Sequence, residues 1–166
     1  VRLDEAANAR ASGLDDGQSL RISGPDSAVA VWVIPTDEER MIALQRDYAE
    51  TLDLVAINSN DETNYPDDSF DAMVARHRAR AMNYAYLRDA SQEAATAFGA
   101  THTPQFFVFD AARVLRYAGK LDDNWKEPAA VKERYGRDAV EAILAGRPVP
   151  VEETFSIGCT IKWKTS

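Results

Sequence analysis

The sequence predicts an α/β domain built on a mixed sheet with helices on both faces, and three observations predict it. Two continuous apolar runs, residues 28–33 and 52–58, indicate strands that are buried on both faces, because such strands lack polar alternation. Residues 37–52 between them carry apolar side chains at helical spacing, which makes a parallel β-α-β unit. Two later β-rich runs, residues 105–110 and 113–118, are separated by a tight turn and predict an antiparallel hairpin.

The first helix is expected to begin at a capping box formed by Thr36 and Glu39. Asp37 and Glu38 complement the helix dipole in the first turn. Its inward stripe is predicted to comprise Met41, Leu44, Tyr48 and Leu52. A second helix is predicted after Ser69 as its N-cap, with Phe70, Met73 and Val74 facing inward.

The remaining predictions complete one domain over residues 1–166. They are a short edge strand over 19–23, a short strand over 85–87, a short helix over 91–98 that ends at Gly99, and a closing helix over 137–145. Residues 1–27 form an N-terminal extension, and residues 147–166 form an extended C-terminal tail. The order of elements is that of the thioredoxin fold.

Composition narrows the classes of function. Apolar residues make up 45% of 166 residues, and the formal net charge is −8. The 19 basic residues are scattered, so neither nucleic acid nor an anionic membrane surface is an expected partner. No apolar run approaches the roughly 18 residues of a membrane span. The first residues lack a signal-peptide pattern, so the default expectation is a cytoplasmic protein.

The dipeptide Thr103-Pro104 precedes the predicted strand 105–110. A proline cannot donate a ladder hydrogen bond, so it belongs at a strand's first position or in a turn. In the thioredoxin fold this place is held by a cis-proline, and X-Pro bonds reach the cis form at a cost of about 0.5–1 kcal/mol. Position alone is equally compatible with an ordinary trans proline.

Longer strings resemble one family closely, the thioredoxin-like proteins related to alkyl hydroperoxide reductase and thiol-specific antioxidant (peroxiredoxin-like) proteins. The strings are AINSND (56–61), YPDDSFDAM (65–73), YLRDASQEAATAFGATHTPQFFVFD (86–110), YAGKLDD (117–123), AILAGRPVP (142–150) and IGCTIKWK (157–164). The resemblance implies thiol-disulfide or peroxide-reducing chemistry and a protein or small-molecule thiol, disulfide or peroxide as substrate. It also favours the cis form at Pro104.

The sequence departs from that family where the reactive cysteines of the relatives lie. In such relatives the reactive cysteines lie between the first core strand and the first core helix, in a segment that resembles Asn-His-Cys-Pro. The helix N-terminus lowers the pKa of a thiol at this place. Here only Ile34 and Pro35 separate Val33 from the expected cap Thr36. A natural loss of the loop, a shortened chain and residues missing from the recorded sequence all fit this departure. Two functions therefore stay open: a thiol redox enzyme, or a redox-inactive binding module with the same fold.

Cys159, the only cysteine, excludes an internal disulfide and any multi-cysteine metal site. It is either a redox thiol at the active edge of the fold or a small packed residue of the tail. Lys162 and Lys164 are predicted to face away from it in an extended chain. Thr103 and Pro104 are the predicted substrate-binding residues, together with His102, which tunes a thiolate, binds a substrate carboxylate or is a solvated loop residue.

Other candidates have simpler explanations. His77 is expected at the surface of its helix, and Trp125 either covers a groove or pins its own loop. No metal site is predicted, because the acidic residues lack the spacing of a calcium loop and suit turns and caps better; they are Asp61, Glu62, Asp67, Asp68, Asp122 and Asp123. Phosphate loops and nucleophile elbows are absent from the sequence, and no cofactor is predicted.

Overall fold

The structure, a computed structural model, describes residues 29–34, 38–124 and 126–165, with side chains from residue 38 onward. The strands are β1 (Val29–Ile34), β2 (Leu52–Asn58), β3 (Ala85–Arg88), β4 (His102–Thr103), β5 (Gln105–Phe109), β6 (Leu115–Gly119) and β7 (Cys159–Thr160). The α-helices are α1 (Glu38–Asp47), α2 (Phe70–Ala79), α3 (Glu93–Phe98) and α4 (Tyr135–Leu144). Short 3-10 helices lie at Pro66–Asp68 and Pro128–Ala130.

Five strands form one mixed sheet in the order β3-β2-β1-β5-β6. The first three strands run parallel, and β5 is antiparallel to both β1 and β6. This confirms the β-α-β unit and the terminal hairpin. The short strands β4 and β7 form a separate antiparallel pair, which the sequence did not predict.

Buried apolar residues lie on both faces of the sheet. On one face, α1 and α4 pack against β2, β5 and β6, and this cluster includes Met41, Leu54, Phe106, Tyr117 and Val140. On the other face, α3 and the tail cover a smaller cluster that includes Val55, Ala95, Phe107 and Ile161. The predicted arrangement of helices on both faces is therefore confirmed.

The structure corrects two predictions for the helices. α1 ends at Asp47, so Tyr48 lies in the following turn and Leu52 opens β2 rather than extending a helical stripe. Ser69 does cap α2, since its Oγ accepts a hydrogen bond from the Ala72 N–H at 3.4 Å. Phe70, however, is 57% exposed, because it is the first residue of the helix and lies outside the buried stripe that Met73 occupies.

Smaller differences concern element boundaries. α3 begins at Glu93 and α4 at Tyr135, each two residues from the prediction. Gly99 ends α3 with a φ of +63°, as expected. The predicted strand over residues 19–23 and the cap Thr36 lie outside the described residues. None of the described helices is long and apolar enough to cross a membrane.

Candidate functional site

The Thr103–Pro104 peptide bond is cis, which settles the alternative that sequence position left open. Gln105 follows directly as the first residue of β5, and it pairs with Ile34, the last residue of β1. The helix α1 begins four positions after Ile34. The cis-proline therefore lies at the end of the central strands where β1 stops and the chain continues toward α1.

The C-terminal tail pairs with the strand that precedes this proline. Cys159 lies opposite Thr103, and Thr160 lies opposite His102. The Ile161 N–H donates to the Thr101 carbonyl at 3.2 Å and continues the contact by one residue. The only cysteine of the chain thus lies beside the cis-proline, although about 55 residues of sequence separate the two.

Two glycines allow the tail to approach this closely. A Cβ at Gly158 would lie 2.3 Å from the Thr103 carbonyl oxygen and 3.5 Å from Pro104 Cδ. Earlier in the tail, Thr154 crosses Gly119, whose φ is +147° and whose Cβ would lie 2.1 Å from Thr154 Oγ1. Both positions need a residue without a side chain, because backbone atoms occupy the space.

A polar network anchors the end of the tail to the sheet. The Lys162 N–H donates to Asn60 Oδ1 at 3.0 Å, and the Asp61 N–H donates to the Lys162 carbonyl at 2.8 Å. Gln92 bridges the two segments, because its side-chain amide donates to the carbonyls of Ser59 and Lys162. Ile161 between them is 3% exposed. The residues 159–164 therefore have a defined position against the carboxyl end of β2.

The two tail lysines are engaged with other groups than the thiol. Lys162 Nζ lies 3.2 Å from Asp68 Oδ2 and 4.0 Å from the centre of the Tyr65 ring. Lys164 Nζ donates to the Ala90 carbonyl at 2.7 Å. These contacts agree with the predicted orientation of both ammonium groups.

The site residues do not all share one side of the strand pair. Residues that lie directly opposite each other in an antiparallel pair project to the same face, so Thr103 shares a face with Cys159 and His102 shares the other face with Thr160. The His102 ring lies 5.9 Å from the Phe155 ring, and its Nδ1 is 2.9 Å from Thr101 Oγ1. Cys159 itself is exposed and free, whereas Thr103 is 5% exposed.

A buried tyrosine secures the start of the tail. The Tyr117 hydroxyl is 2.7 Å from Thr154 Oγ1 and donates to the Lys120 carbonyl, and the residue is fully buried. Burial raises the pKa of Tyr117 to about 12, because the phenolate loses its hydration. Its neutral hydroxyl is thus available to hold Thr154 over the whole physiological pH range.

The acidic candidates occupy structural positions. Asp61 accepts hydrogen bonds from Asn64 Nδ2 and the Thr63 N–H, and the bond from Asn64 is the main cause of its lowered pKa. Asp122 pairs with Arg40 of α1. Asp123 accepts from the Lys132 N–H, which lowers its pKa. No group of three or more potential metal ligands occurs within the described ranges.

Of two other candidates from the sequence, His77 and Trp125, the structure places the first. His77 is half-buried in α2, where Nε2 lies 3.2 Å from the Tyr84 carbonyl oxygen, so it is less exposed than expected. Trp125 lies outside the described residues. Sequence reasoning missed the anchoring residues Asn60 and Gln92; the signal that was available is the spacing of Gly158 and Ile161 in the tail, which suits a close contact followed by a buried residue.

Two proteins of known structure are similar to this chain over most of its length. An uncharacterized conserved protein from Geobacillus kaustophilus is 37% identical, with a TM-score of 0.78 over 84% of this chain and 79% of its own. A hypothetical protein from Sinorhizobium meliloti 1021 is 36% identical, with a TM-score of 0.76 over 86% of this chain and 83% of its own. The chain belongs to the family of these two proteins.

The fold of this chain is the thioredoxin fold. A thioredoxin-like protein solved in its oxidized form matches with a TM-score of 0.56 and 17% identity, over 73% of this chain and 80% of its own. A thioredoxin-like protein from Aeropyrum pernix matches with a TM-score of 0.52 and 13% identity, over 73% and 78%. At these identities the likeness concerns the fold alone. No family model matches the sequence.

A short stretch is similar to acetate kinases. The match is 58% identical over 43 residues for the enzyme of Rhodopseudomonas palustris strain TIE-1, and 74% over 27 residues for that of Dictyoglomus turgidum. These stretches cover 26% and 16% of this chain and 10% and 7% of the kinases. The chain thus spans about a tenth or less of the curated relatives that it matches. The 43-residue match to the R. palustris enzyme covers 26% of this chain, and the match to the G. kaustophilus protein covers 84% of it. The two matched regions therefore overlap.

Proposed function

We propose that this thioredoxin-fold chain has a thiol redox function in which Cys159 is the single redox thiol and Thr103 and Pro104 form the adjoining substrate surface. The observation that carries the proposal is the pairing of Cys159 with Thr103 directly before the cis-proline. The thiol is exposed, so a thiol, disulfide or peroxide substrate can reach it.

One cysteine limits the chemistry to a one-thiol cycle. The Cys159 thiolate attacks a hydroperoxide, a sulfur–oxygen bond forms, the oxygen–oxygen bond breaks, and the alkoxide leaves and takes a proton from water. The resulting sulfenic acid condenses with an external small thiol to a mixed disulfide and water. A second external thiol attacks that disulfide and releases Cys159 together with the oxidised small thiol. The external thiols supply both electrons.

His102 has a more distant part in this proposal. It lies on the opposite face of the strand pair from Cys159, so direct activation of the thiolate by its ring is not favoured. The proposal assigns it to the substrate surface, where its ring and that of Phe155 lie next to each other.

The test measures the reactivity of Cys159 with a peroxide. In the intact protein we expect cumene hydroperoxide to form the sulfenic acid about tenfold faster than on N-acetylcysteine, because the surface beside Pro104 holds the substrate next to the thiol. Glutathione added afterwards should restore the free thiol. Trapping with dimedone and intact-mass measurement give the rate. Cys159→Ser removes the activity, and the neighbouring Thr160→Ala retains it. A rate equal to that of N-acetylcysteine, or activity that survives in Cys159→Ser, would contradict the proposal.

A redox-inactive binding module is the second candidate, and two observations favour it. Phe155 and Ile157 beside the site are 79% and 53% exposed, as suits an apolar binding surface. The three residues between Ile34 and Glu38 contain no cysteine. This candidate predicts that a bound protein partner is captured equally by the original chain and by Cys159→Ser, and that Phe155→Ser loses it.

A further inference from the structure

A groove unrelated to the cysteine site lies between α2 and the strand β3. It encloses a cavity of about 510 Å³. Its apolar lining includes Met73, Val74, Met82 and Leu87, with Phe70 at one end. Phe70 is 57% exposed, which leaves a large aromatic side chain in water at the mouth of the groove.

The groove runs along an edge of the sheet. Among the strands that the structure describes, β3 is the terminal one in the order β3-β2-β1-β5-β6, and β2 is its partner on the inner side. The Asp89 N–H donates to the Asn58 carbonyl at 2.9 Å. The N–H and C=O groups of successive residues in a strand point to alternate sides. The N–H and C=O of Leu87 therefore also face β2, whereas the N–H and C=O groups of Tyr86 and Arg88 face the outer edge. Such an edge accepts a further strand.

His77 and Arg78 line the groove, and none of its described lining residues is acidic, in a protein of net charge −8. Of the neighbouring arginines, Arg88 is paired with Glu62 and Arg76 donates to the Asp67 carbonyl. Arg78 lines the groove and is exposed, and no ion pair to it is found in the part of the chain that the structure describes. A negatively charged partner is attracted here and repelled by most of the remaining surface.

We propose that this groove binds an extended segment of a partner protein in which one side-chain face carries apolar residues and one acidic residue. The segment adds to β3 as an antiparallel or parallel strand, and the apolar side chains of that face enter the groove against Met73 and Met82. The carboxylate of the same face lies against Arg78 of α2. This mode of recognition combines main-chain hydrogen bonds with side-chain pockets, and it does not depend on Cys159.

The first test uses a fluorescein-labelled eight-residue peptide in which valine and serine alternate and glutamate replaces one inner valine. Fluorescence anisotropy measures its affinity for the intact protein. Arg78→Glu should weaken binding about tenfold, because one attraction becomes a repulsion. The control Arg147→Glu, an exposed arginine beyond α4, should leave the affinity within about twofold. Equal weakening by the two substitutions would overturn the proposal, since it would indicate a general charge effect.

The second test asks whether the peptide forms a strand. Bound peptide should slow hydrogen exchange of the Tyr86 and Arg88 amides, and Phe70→Ala should weaken the affinity without changing the melting temperature. Binding that leaves exchange at both amides unchanged would overturn the addition of a strand. A dimer that dissociates on Arg78→Glu, seen by light scattering, would identify a second copy as the occupant and would overturn the proposed partner.

Discussion

Only a hydrogen atom fits as the side chain of residue 158, because the Thr103 carbonyl oxygen would lie 2.3 Å from a Cβ there. Contacts below about 3 Å between such atoms do not persist, so one of the two segments has to move. The cis-proline loop is held by β5 on its far side, and the tail is therefore the segment that shifts. Gly158 thus decides whether Cys159 lies opposite Thr103.

Gly158→Ala is expected to separate the tail from the cis-proline loop and to lower the free energy of unfolding by about 1–3 kcal/mol. Hydrogen exchange at the amides of Cys159 and Ile161 should become faster, since these face β4. Gly99→Ala is the control: its φ of +63° costs about 1 kcal/mol, with nothing within 4 Å to clash. Unchanged exchange at the amides of residues 159 and 161 in Gly158→Ala would show that the close contact does not hold the tail.

At the scale of elements, the tail and the strand β6 depend on each other. Thr154 donates its N–H to the Ala118 carbonyl at 3.0 Å, and the Ala118 N–H donates to the Glu152 carbonyl at 3.0 Å. The Tyr117 hydroxyl then binds Thr154 Oγ1 from the interior. The tail is therefore joined to the sheet at two places. Residues 152–154 contact β6, and Lys162, which follows the pairing of Cys159 with Thr103, contacts the residues after β2.

Tyr117 makes this junction sensitive to alkaline pH. The unfolded residue ionises near a pKa of 10.0, whereas the folded residue keeps its proton to about 12. As the pH rises from 10 to 12, deprotonation favours the unfolded state and the free energy of unfolding decreases. Tyr117→Phe should be less stable near pH 7 and should lose less stability over that range.

Urea unfolding at pH 7, 9, 10 and 11 measures the difference. Tyr65→Phe is the control, because Tyr65 is 43% exposed, and it should retain the slope of the original protein. If the slope in Tyr117→Phe equals that of the control, then burial of the Tyr117 hydroxyl does not contribute to the pH dependence.

At the scale of the whole molecule, the chain combines the thioredoxin scaffold with a single thiol. The sheet, the cis-proline and the covering helices are those of the fold. The cysteine comes from the C-terminal tail. The three residues between the end of β1 and the start of α1 contain no cysteine. Dithiol chemistry within one chain is excluded by this composition.

The chain should therefore fail to catalyse the reduction of insulin by dithiothreitol. The reason is that reductase turnover needs two thiols that close an internal disulfide, and the sequence supplies one. Turbidity from the released insulin chain measures the rate, with Cys159→Ser as the control at the same concentration. A rate clearly above that control would contradict the prediction.

The sequence by itself determined the main sheet and the place of the cis-proline. Runs such as residues 52–58 are apolar at every position except Asp53 and Asn58, and burial on both faces produces that pattern directly. The cap at Ser69 and the helix end at Gly99 were equally readable, because capping depends on residues near in sequence. Phe70 was misjudged because an apolar residue at a helix start need not face the core.

Only the tertiary structure decided where the tail lies. The pairing of Cys159 with Thr103, the anchoring of Lys162 by Asn60 and Gln92, and the pairing of β3 with β2 all join residues far apart in sequence. Periodicity and capping report what a segment does with its neighbours along the chain. They carry no information on which distant backbone satisfies the hydrogen bonds of an extended segment, and that choice depends on the shape that the packed core leaves exposed.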